Sequence, residues 1–355
     1  MMLNAFDPRN DGQVREELLR LPVLGELRQA LEGRHLLITG GTGFFGRWLL
    51  ALINLLNHQG ATIEVTLISR NPNAFLAMLP GYRDCPWLNW LTTDIRHLKT
   101  LPGRPVQMIV HAAADTSAAA HARPLELLQT LTEGACRVFD LAVDSGCERV
   151  LITGSGAQYG GLPDGRGVRE DHPGACPSNQ ASSAYGEGKR VQETLAALYS
   201  QVHGLPVVMS RCFAFAGPGL PLDAHFAIGN FVRDALFGEQ IVLNSSGEAV
   251  RSYLHGADLS AWLLWLLVRG EPGQAYNVGS DHAVSIAEVA ARVIARIAPH
   301  KPLRILGRPE GASRSFYVPD ISRARALGLE AWTTLDECID SMARWARPLG
   351  RNRNF

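Results

Sequence analysis

The stretch His35-Leu-Leu-Ile-Thr-Gly40-Gly-Thr-Gly43-Phe-Phe-Gly46 decides how the first part of this chain folds. A short apolar run ends in glycines spaced three residues apart, and a helical sequence follows directly. Glycine at these positions allows a tight turn, a close approach of backbone to a pyrophosphate, and contact between helix and strand. The stretch therefore predicts a dinucleotide-binding turn with Gly40, Gly43 and Gly46 in contact with the cofactor, and a purely structural turn is the alternative.

Outward from this turn, short β-rich runs alternate with longer helix-periodic stretches. The expected strands are 35–39, 63–68, 106–110, 150–153 and 206–210, and the expected helices include 46–58, 124–145 and 182–203. This alternation is typical of βαβ units, in which helices cover both faces of a parallel sheet. The pattern predicts an α/β protein with a Rossmann-like, doubly wound sheet.

Three regions are expected along the chain. Residues 1–33 form a helical extension, and residues 34–215 form the Rossmann domain, to which 250–282 return. Loop-rich segments with Gly and Pro follow residue 211. They predict a smaller, mixed α/β substrate-binding lobe, made of 216–249 and 283–355, over the carboxyl edge of the sheet.

The composition argues against several classes of protein. Lys and Arg together number 34, as do Asp and Glu, so the basic excess of nucleic-acid-binding proteins is missing. The six Cys form no CxxC pair or zinc-like cluster, so we expect reduced thiols and no metal. The sequence has neither a signal-peptide core nor an apolar run of about 18 residues, which predicts a cytoplasmic protein without a membrane partner.

Two further positions are candidate cofactor contacts. Ser69-Arg70 follows the second expected strand, where NAD-binding enzymes commonly carry an acidic residue. Arg70 favours the 2′-phosphate of NADP, although stacking on adenine or exposure to solvent is an equal alternative. Asp94-Ile95 follows an apolar run, and its carboxylate could accept from the adenine amino group. A helix N-cap is the alternative for Asp94.

A candidate catalytic group lies in the second half of the sheet region. Tyr185 and Lys189 are four residues apart on an expected helix, so both side chains share one face. We expect the ammonium and an oxidised nicotinamide to lower the pKa of the phenol, which could then accept a proton from a sugar hydroxyl. Ser155 follows the expected strand 150–153 at the carboxyl edge of the sheet, where its hydroxyl could bind the reacting oxygen.

The combined motifs resemble the extended short-chain dehydrogenases/reductases of the NAD-dependent epimerase/dehydratase family, which act on nucleotide sugars. The resemblance covers about residues 35–340. Its motifs are Gly40-x-x-Gly43-x-x-Gly46, Asp94-Ile95, His111-Ala-Ala-Ala114, Ser155, Tyr185-x-x-x-Lys189, Arg211-x-x-x-x-x-Gly217-Pro218, Arg251-Ser-Tyr-Leu-His255 and Tyr276-Asn-Val-Gly279.

This resemblance implies roles for individual residues. Ser155, Tyr185 and Lys189 would be catalytic, and Lys189 would also hold the nicotinamide ribose. Arg251 would grip the diphosphate of the sugar nucleotide, a task suited to its fork of donors. Further implied cofactor contacts are Phe44, Phe45, His111, Ala112, Ala113, Ala114 and Cys212, and further substrate contacts are Thr116, Asn230 and Arg308.

The chain also departs from the family pattern. The usual Asn ahead of Gly134 is missing, because residues 121–140 contain no Asn, and Ala214 replaces the Asn of an Arg-x-x-Asn pattern. Family members that remove water carry an acidic pair after the catalytic hydroxyl residue, where this chain has Gly156 and Ala157. Elimination needs an acid for the leaving hydroxyl, so 4,6-dehydration is disfavoured. Decarboxylation is less favoured than epimerisation because this stretch also contains no Glu.

The sequence therefore favours a nucleotide-diphosphate-sugar epimerase that oxidises the sugar, with inversion expected at C4, and returns the hydride to its other face. An NADPH-dependent 4-keto-sugar reductase is the alternative enzyme, and a catalytically silent dinucleotide-binding sensor or scaffold is the alternative class. The epimerase interpretation favours tightly bound NAD, whereas Arg70 favours NADP. The long helices 124–145 and 182–203 suggest a homodimer through a four-helix bundle, as in similar enzymes.

Overall fold

The computed structural model describes residues 11–101, 103–115, 117–162, 165–308 and 315–352. Its strands are β1 His35–Thr39, β2 Glu64–Ser69, β3 Leu88–Thr92, β4 Met108–His111, β5 Arg149–Ser155, β6 Val207–Cys212, β7 Phe215–Ala216, β8 Ile241–Leu243, β9 Val250–Arg251, β10 Leu254–His255, β11 Ala275–Val278, β12 Val284–Ser285, β13 Leu303–Ile305 and β14 Phe316–Tyr317. Its α-helices are α1 Gly12–Leu19, α2 Leu24–Leu31, α3 Phe44–His58, α4 Pro72–Met78, α5 Ala118–His121, α6 Pro124–Asp144, α7 Ala184–His203, α8 Ala227–Phe237, α9 Gly256–Arg269, α10 Ile286–Ile297, α11 Ser322–Arg325 and α12 Leu335–Ala346.

Seven parallel strands form the central sheet, in the order β11-β6-β5-β4-β1-β2-β3. The chain runs outward from β1 to β3 and then crosses to β4, on the other side of β1. Such a reversal opens a crevice at the carboxyl ends of the two central strands, where ligands bind in α/β sheets. The predicted α/β class and Rossmann-like sheet are confirmed. Strands β3 and β11 are not among the expected strands.

Helices cover both faces of this sheet because neighbouring residues of each strand point to opposite sides. On β1, Leu36 and Ile38 pack in one core with Trp48 of α3 and with α9. Leu37 points to the other face and packs in a core with Phe139 of α6. Residues on both sides of β1 are fully buried. An uninterrupted apolar strand is therefore explained by burial on two faces.

A second core lies in the smaller lobe. Helices α8, α10 and α12 pack around it, with Phe231, Val289 and Met342 buried at its centre. Short strand pairs add to the lobe: β8 with β13, and β9 with both β12 and β14. Strands β9 and β14 carry the side chains of Arg251 and Tyr317 to the edge of the central crevice.

The N-terminal helices complete the packing around the sheet. Both α1 and α2 contact α3 and α9, and Leu27 and Leu31 of α2 are fully buried there. The segment before the glycine loop is thus part of the main core. The boundaries expected for the three regions stay a prediction. In the described part of the chain, no helix combines the length and apolar character needed to cross a bilayer.

Replacing Leu27 by Ala should lower the free energy of unfolding by about 2–5 kcal/mol, because it leaves a cavity in this core. The matched control is Leu19→Ala, since Leu19 is 47% exposed and its truncation should change stability by less than about 0.5 kcal/mol. Thermal and urea unfolding of both variants measure the difference. Equal, small losses for the two would contradict the packing of α2 described above.

Candidate active site

The glycine loop leaves a cradle of backbone that side chains would fill. Gly40 has a φ of +72°, which favours glycine, and a Cβ there would lie 2.4 Å from the carbonyl oxygen of Ala112. A Cβ on Gly46 would lie 2.1 Å from the Cα of Gly41, so a side chain would force α3 away from the loop. Helix α3 begins after Gly43, which offers no side-chain cap to its first N–H groups. This geometry fits a pyrophosphate.

Two adjoining cavities meet at this loop. One, of about 1150 Å³, lies between the sheet and the lobe, and the other, of about 880 Å³, runs along the carboxyl ends of β2 and β4. Of the predicted site residues, the first is lined by Gly40, Gly43, Phe44, Phe45, Ala112, Ala114, Ser155, Tyr185, Lys189, Cys212 and Arg251. The second is lined by Gly40, Gly43, Ser69, Arg70, Asp94, Ile95, Ala113 and Ala114. Gly46 and His111 are buried and line neither cavity, and Thr116 lies outside the described residues.

The proposed catalytic side chains converge from two elements. Ser155 ends β5, and its hydroxyl accepts from the backbone N–H of Ala157 at 3.1 Å. Tyr185 lies in the first turn of α7 and has a hydrogen-bonding interaction with Ser155. Lys189 lies one turn later, where its Nζ donates to the carbonyl oxygen of Thr153 at 2.6 Å. That bond ties α7 to β5 and holds the three side chains at one wall of the larger cavity.

Burial controls the protonation of this group. It raises the pKa of the Tyr185 phenol to about 12, although the interaction with Ser155 acts in the opposite direction. Burial also lowers the pKa of the Lys189 ammonium to about 8. The sequence led us to expect a phenol with a lowered pKa. In the folded chain the Lys189 ammonium donates to the carbonyl oxygen of Thr153. The effect of burial on the pKa of the Tyr185 phenol is larger than the opposing effect of Ser155.

At the smaller cavity, the structure shows the alternative expected for Asp94, which is a helix cap. Its carboxylate accepts from the backbone N–H of Arg96 at 2.9 Å and caps the short helical turn Ile95–His97. The guanidinium of Arg96 binds the same carboxylate through Nε and Nη2, and these hydrogen bonds lower the pKa of Asp94 to about 2. Asp94 lines the smaller cavity as a paired anion. Arg70 is exposed at the same cavity.

The predicted substrate residues lie in different places. Arg251 lines the larger cavity, and its Nη1 donates to the carbonyl oxygens of Val250 and Ser315, at 2.7 and 3.2 Å. Asn230 does not line this cavity, because its amide binds the carbonyl oxygen of Ala224 and the guanidinium of Arg233. Arg308 is exposed and also lines neither of the two cavities.

Tyr317 is a cavity residue that the sequence reasoning missed. Its ring packs on Phe213 with centroids 4.7 Å apart, and its phenol has a hydrogen-bonding interaction with Ser155. A Cβ on Gly156 would lie 2.7 Å from its hydroxyl oxygen. The pairing of β14 with β9 brings Tyr317 beside Arg251. The sequence around Tyr317 contains no motif that signals this pairing.

The larger cavity lacks the acids used in dehydration. Ala157 lines it, whereas Gly156 faces Tyr317 and Phe213 and has no room for a side chain. Among the described residues that line this cavity, none is Asp or Glu. Nor do three His, Cys, Asp or Glu side chains come together as a metal site anywhere in the described part of the chain.

A parallel sheet with a glycine cradle, beside a serine, a tyrosine and a lysine, defines the class of dinucleotide-dependent short-chain dehydrogenases. The family model described as "NAD dependent epimerase/dehydratase family" matches residues 36–279. The chain belongs to this family, and the resemblance expected from the motifs is confirmed.

Similar proteins are named for several reactions. UDP-glucuronic acid decarboxylase 6 of Arabidopsis thaliana is 28% identical over 312 residues, covering 87% of this chain and 87% of the relative. UDP-glucuronic acid decarboxylase 1 of Xenopus tropicalis is 25% identical over 316 residues, covering 88% and 72%. Among solved structures, the UDP-glucose 4-epimerase of Thermotoga maritima with UDP-glucose matches with a TM-score of 0.74 at 18% identity, covering 89% and 99%. A dTDP-glucose 4,6-dehydratase of Streptomyces venezuelae with NAD bound matches with a TM-score of 0.72 at 25% identity, covering 88% and 97%.

Gly46→Ala should weaken NAD binding, because the added Cβ pushes the helix from the loop that would hold the pyrophosphate. Overpacking of this kind costs about 1–3 kcal/mol, which corresponds to about a 5- to 150-fold higher Kd if it acts on the bound state. The control is Gly25→Ala, whose Cβ meets no heavy atom within 4 Å. Calorimetric titration with NAD compares the two, and equal affinities would reject a pyrophosphate at this loop.

Proposed function

We propose that this chain is a nucleotide-diphosphate-sugar epimerase that oxidises its sugar at C4 to a keto sugar and returns the hydride to the opposite face. One observation carries the proposal. The described wall of the larger cavity offers a hydroxyl, a phenol and an ammonium for oxidation and reduction, but no carboxylate to protonate a leaving hydroxyl. Besides a nicotinamide that would take up and return the hydride, inversion at C4 needs only the first three groups and room for the keto sugar to turn.

Each of these groups has a separate task. Tyr185 accepts the proton of the sugar hydroxyl and later gives it back. Ser155 donates to the reacting oxygen, and Lys189 holds a positive charge close to the phenol while it binds the nicotinamide ribose. When bound, the nicotinamide accepts and returns the hydride and adds positive charge beside the phenol. Since burial raises the pKa of Tyr185 to about 12, such charge is needed for the phenol to act as a base.

We assign the cofactor and the sugar nucleotide to opposite sides of the crevice. We place NAD along the glycine loop and the smaller cavity, and the sugar nucleotide between this loop and the lobe of residues 216–249 and 283–355. Arg251 reaches the larger cavity from β9 and supplies charge for the diphosphate. Solved structures of similar proteins contain UDP-glucose or NAD, which supports ligands of these two kinds. Arg70 supports NADP as the alternative cofactor, and with it a 4-keto-sugar reductase.

The curated relatives favour decarboxylation of a nucleotide-linked hexuronate as a second candidate. Oxidation at C4 turns such a sugar into a β-keto acid, which loses its C6 carboxylate as CO2 without a leaving hydroxyl. The missing acids therefore disfavour dehydration more than decarboxylation. Both remaining reactions start with the same oxidation by the same three side chains, and they differ in the group at C6.

Assays of the purified protein with different substrates distinguish these reactions. For the epimerase, UDP-glucose or another nucleotide hexose should be converted to its C4 epimer without net change in absorbance at about 340 nm, because NAD is regenerated. Product formation is followed by NMR. Release of CO2 from UDP-glucuronate would replace this proposal by decarboxylation, and steady NADPH consumption with a 4-keto sugar would replace it by reduction. Cofactor binding without turnover of any donor would favour a silent sensor or scaffold.

Tyr185→Phe should lower kcat by about 100-fold or more, the usual contribution of a general acid or base, and leave NAD binding intact. The control is Tyr199→Phe, because the hydroxyl of Tyr199 binds Asp140 between α6 and α7, away from the cavity. Its kcat should equal that of the unmodified protein. Full activity of the Tyr185→Phe variant would refute the assigned base, provided that NAD titration shows a normal site.

We also propose that α6 and α7 form a dimer through a four-helix bundle. Leu198 and Val202 lie on one face of α7 and are 50% and 70% exposed. Leu198→Glu with Val202→Glu should shift the protein from dimer to monomer in light scattering, since charges would be buried at the interface. The control is Leu306→Glu, at an apolar residue 58% exposed in the lobe. A monomer before substitution would reject this arrangement.

A further inference from the structure

Gln192 is a fully buried amide, and one of its hydrogen bonds is with the Lys189 ammonium. It lies one turn after Lys189 on α7, and its Oε1 accepts from the Lys189 ammonium at 3.2 Å. Its Nε2 donates to the carbonyl oxygen of Leu131 on α6 at 2.9 Å and lies 3.3 Å from Nε2 of His111. The amide thus bridges α6, α7 and β4 at the point where the ammonium is held.

The neighbours of Gln192 allow only one orientation of its amide. Burial lowers the pKa of His111 to about 3, so this imidazole is neutral. With the Gln192 oxygen toward Lys189 and its NH2 group toward Leu131, Nε2 of His111 accepts from Gln192, and Nδ1–H donates to the Oγ1 of Thr39 at 2.8 Å. A flipped amide would place its NH2 group against the Lys189 ammonium and its oxygen against the Leu131 carbonyl. Both contacts would be repulsive, so the oxygen faces Lys189.

We propose that Gln192 is a positioning residue, which holds the Lys189 ammonium against the carbonyl oxygen of Thr153 at the end of β5. Gln192 also ties this ammonium to α6, because its amide NH2 group donates to the carbonyl oxygen of Leu131. The role in turnover rests on the proposed function. The effect on the ammonium does not, and it can be measured without a substrate.

The other groups that face Lys189 are few. Thr153 contributes a carbonyl oxygen from β5, and Cys212 of β6 is a buried thiol whose pKa burial raises to about 12. His111 of β4 is neutral, and Tyr185 of α7 is a phenol whose pKa is raised to about 12. None of these side chains carries a charge near neutral pH. Removing the Gln192 oxygen therefore removes one of two acceptors that favour the charged form of Lys189.

The chain contains only three lysines, Lys99, Lys189 and Lys301, so the titration of Lys189 can be read directly. The probe is the 13Cε resonance of 13C-lysine in the full chain, assigned by its loss in Lys189→Met. The unmodified Lys189 should titrate near pH 8. Gln192→Met keeps the size of the side chain and should move this midpoint to lower pH. Gln192→Glu puts an anion beside the ammonium and should move it to higher pH.

Activity gives the second measurement. In Gln192→Met, kcat should fall about 10- to 100-fold, which corresponds to the free energy of a lost hydrogen bond to a charged group. KM should stay nearly unchanged. The alkaline limb of the kcat profile should move to lower pH, because Lys189 must be charged. Gln107→Met is the control, since Gln107 binds the backbone N–H of His35 at the opposite end of the sheet. Gln107→Met should change neither the titration midpoint of Lys189 nor the alkaline limb of the kcat profile.

The outcomes separate this inference from the proposed function. An unchanged Lys189 midpoint in both Gln192 variants would overturn the positioning role, whether or not the protein has activity. Shifted midpoints in a protein that converts no nucleotide sugar would support the positioning of Lys189 and reject the epimerase. Thermal unfolding identifies a variant that does not fold, and the second Gln192 variant then decides the question.

Discussion

A buried ammonium is the constraint on which the active site depends. Lys189 is almost completely removed from water, and a charge in such a place must be matched by oriented acceptors. The carbonyl of Thr153 supplies one and the amide of Gln192 the other. Because these acceptors belong to β5 and α7, satisfying the charge also sets the helix against the strand end. Tyr185 and Ser155 are brought together by the same contact.

The surroundings of this charge determine which chemistry the site can support. Desolvation raises the pKa of the Tyr185 phenol to about 12, so the base role that we propose for it requires positive charge from a bound cofactor. Under this proposal, proton transfer would be restricted to the enzyme with cofactor bound. Tyr317 and Phe213 fill the space beside Gly156, which leaves no room there for an acidic side chain. The site is therefore equipped for hydride and proton transfer, and poorly equipped for loss of a hydroxyl.

Local motifs made much of this site predictable. The glycine spacing, the Tyr185 and Lys189 pair and Ser155 could be interpreted because each is a short-range pattern at the end of a strand or on one helix face. The sequence did not decide whether Asp94 binds adenine or caps a helix, since a carboxylate at this position can do either. The structure shows the cap, with Arg96 paired to the same carboxylate. Tyr317 had no local signal at all, because only the pairing of two-residue strands carries it into the cavity.

By itself, the sequence determined the parallel α/β fold, the tight glycine turn after β1 and the family, because apolar periodicity and glycine geometry act between near neighbours in the chain. Only the tertiary structure decided the state of the side chains at the site. The raised pKa of Tyr185, the neutral His111 and the fixed amide of Gln192 all follow from burial and from contacts between distant segments. Desolvation depends on the atoms that surround a group, and those atoms come from strands and helices whose proximity is settled only when the whole chain has folded.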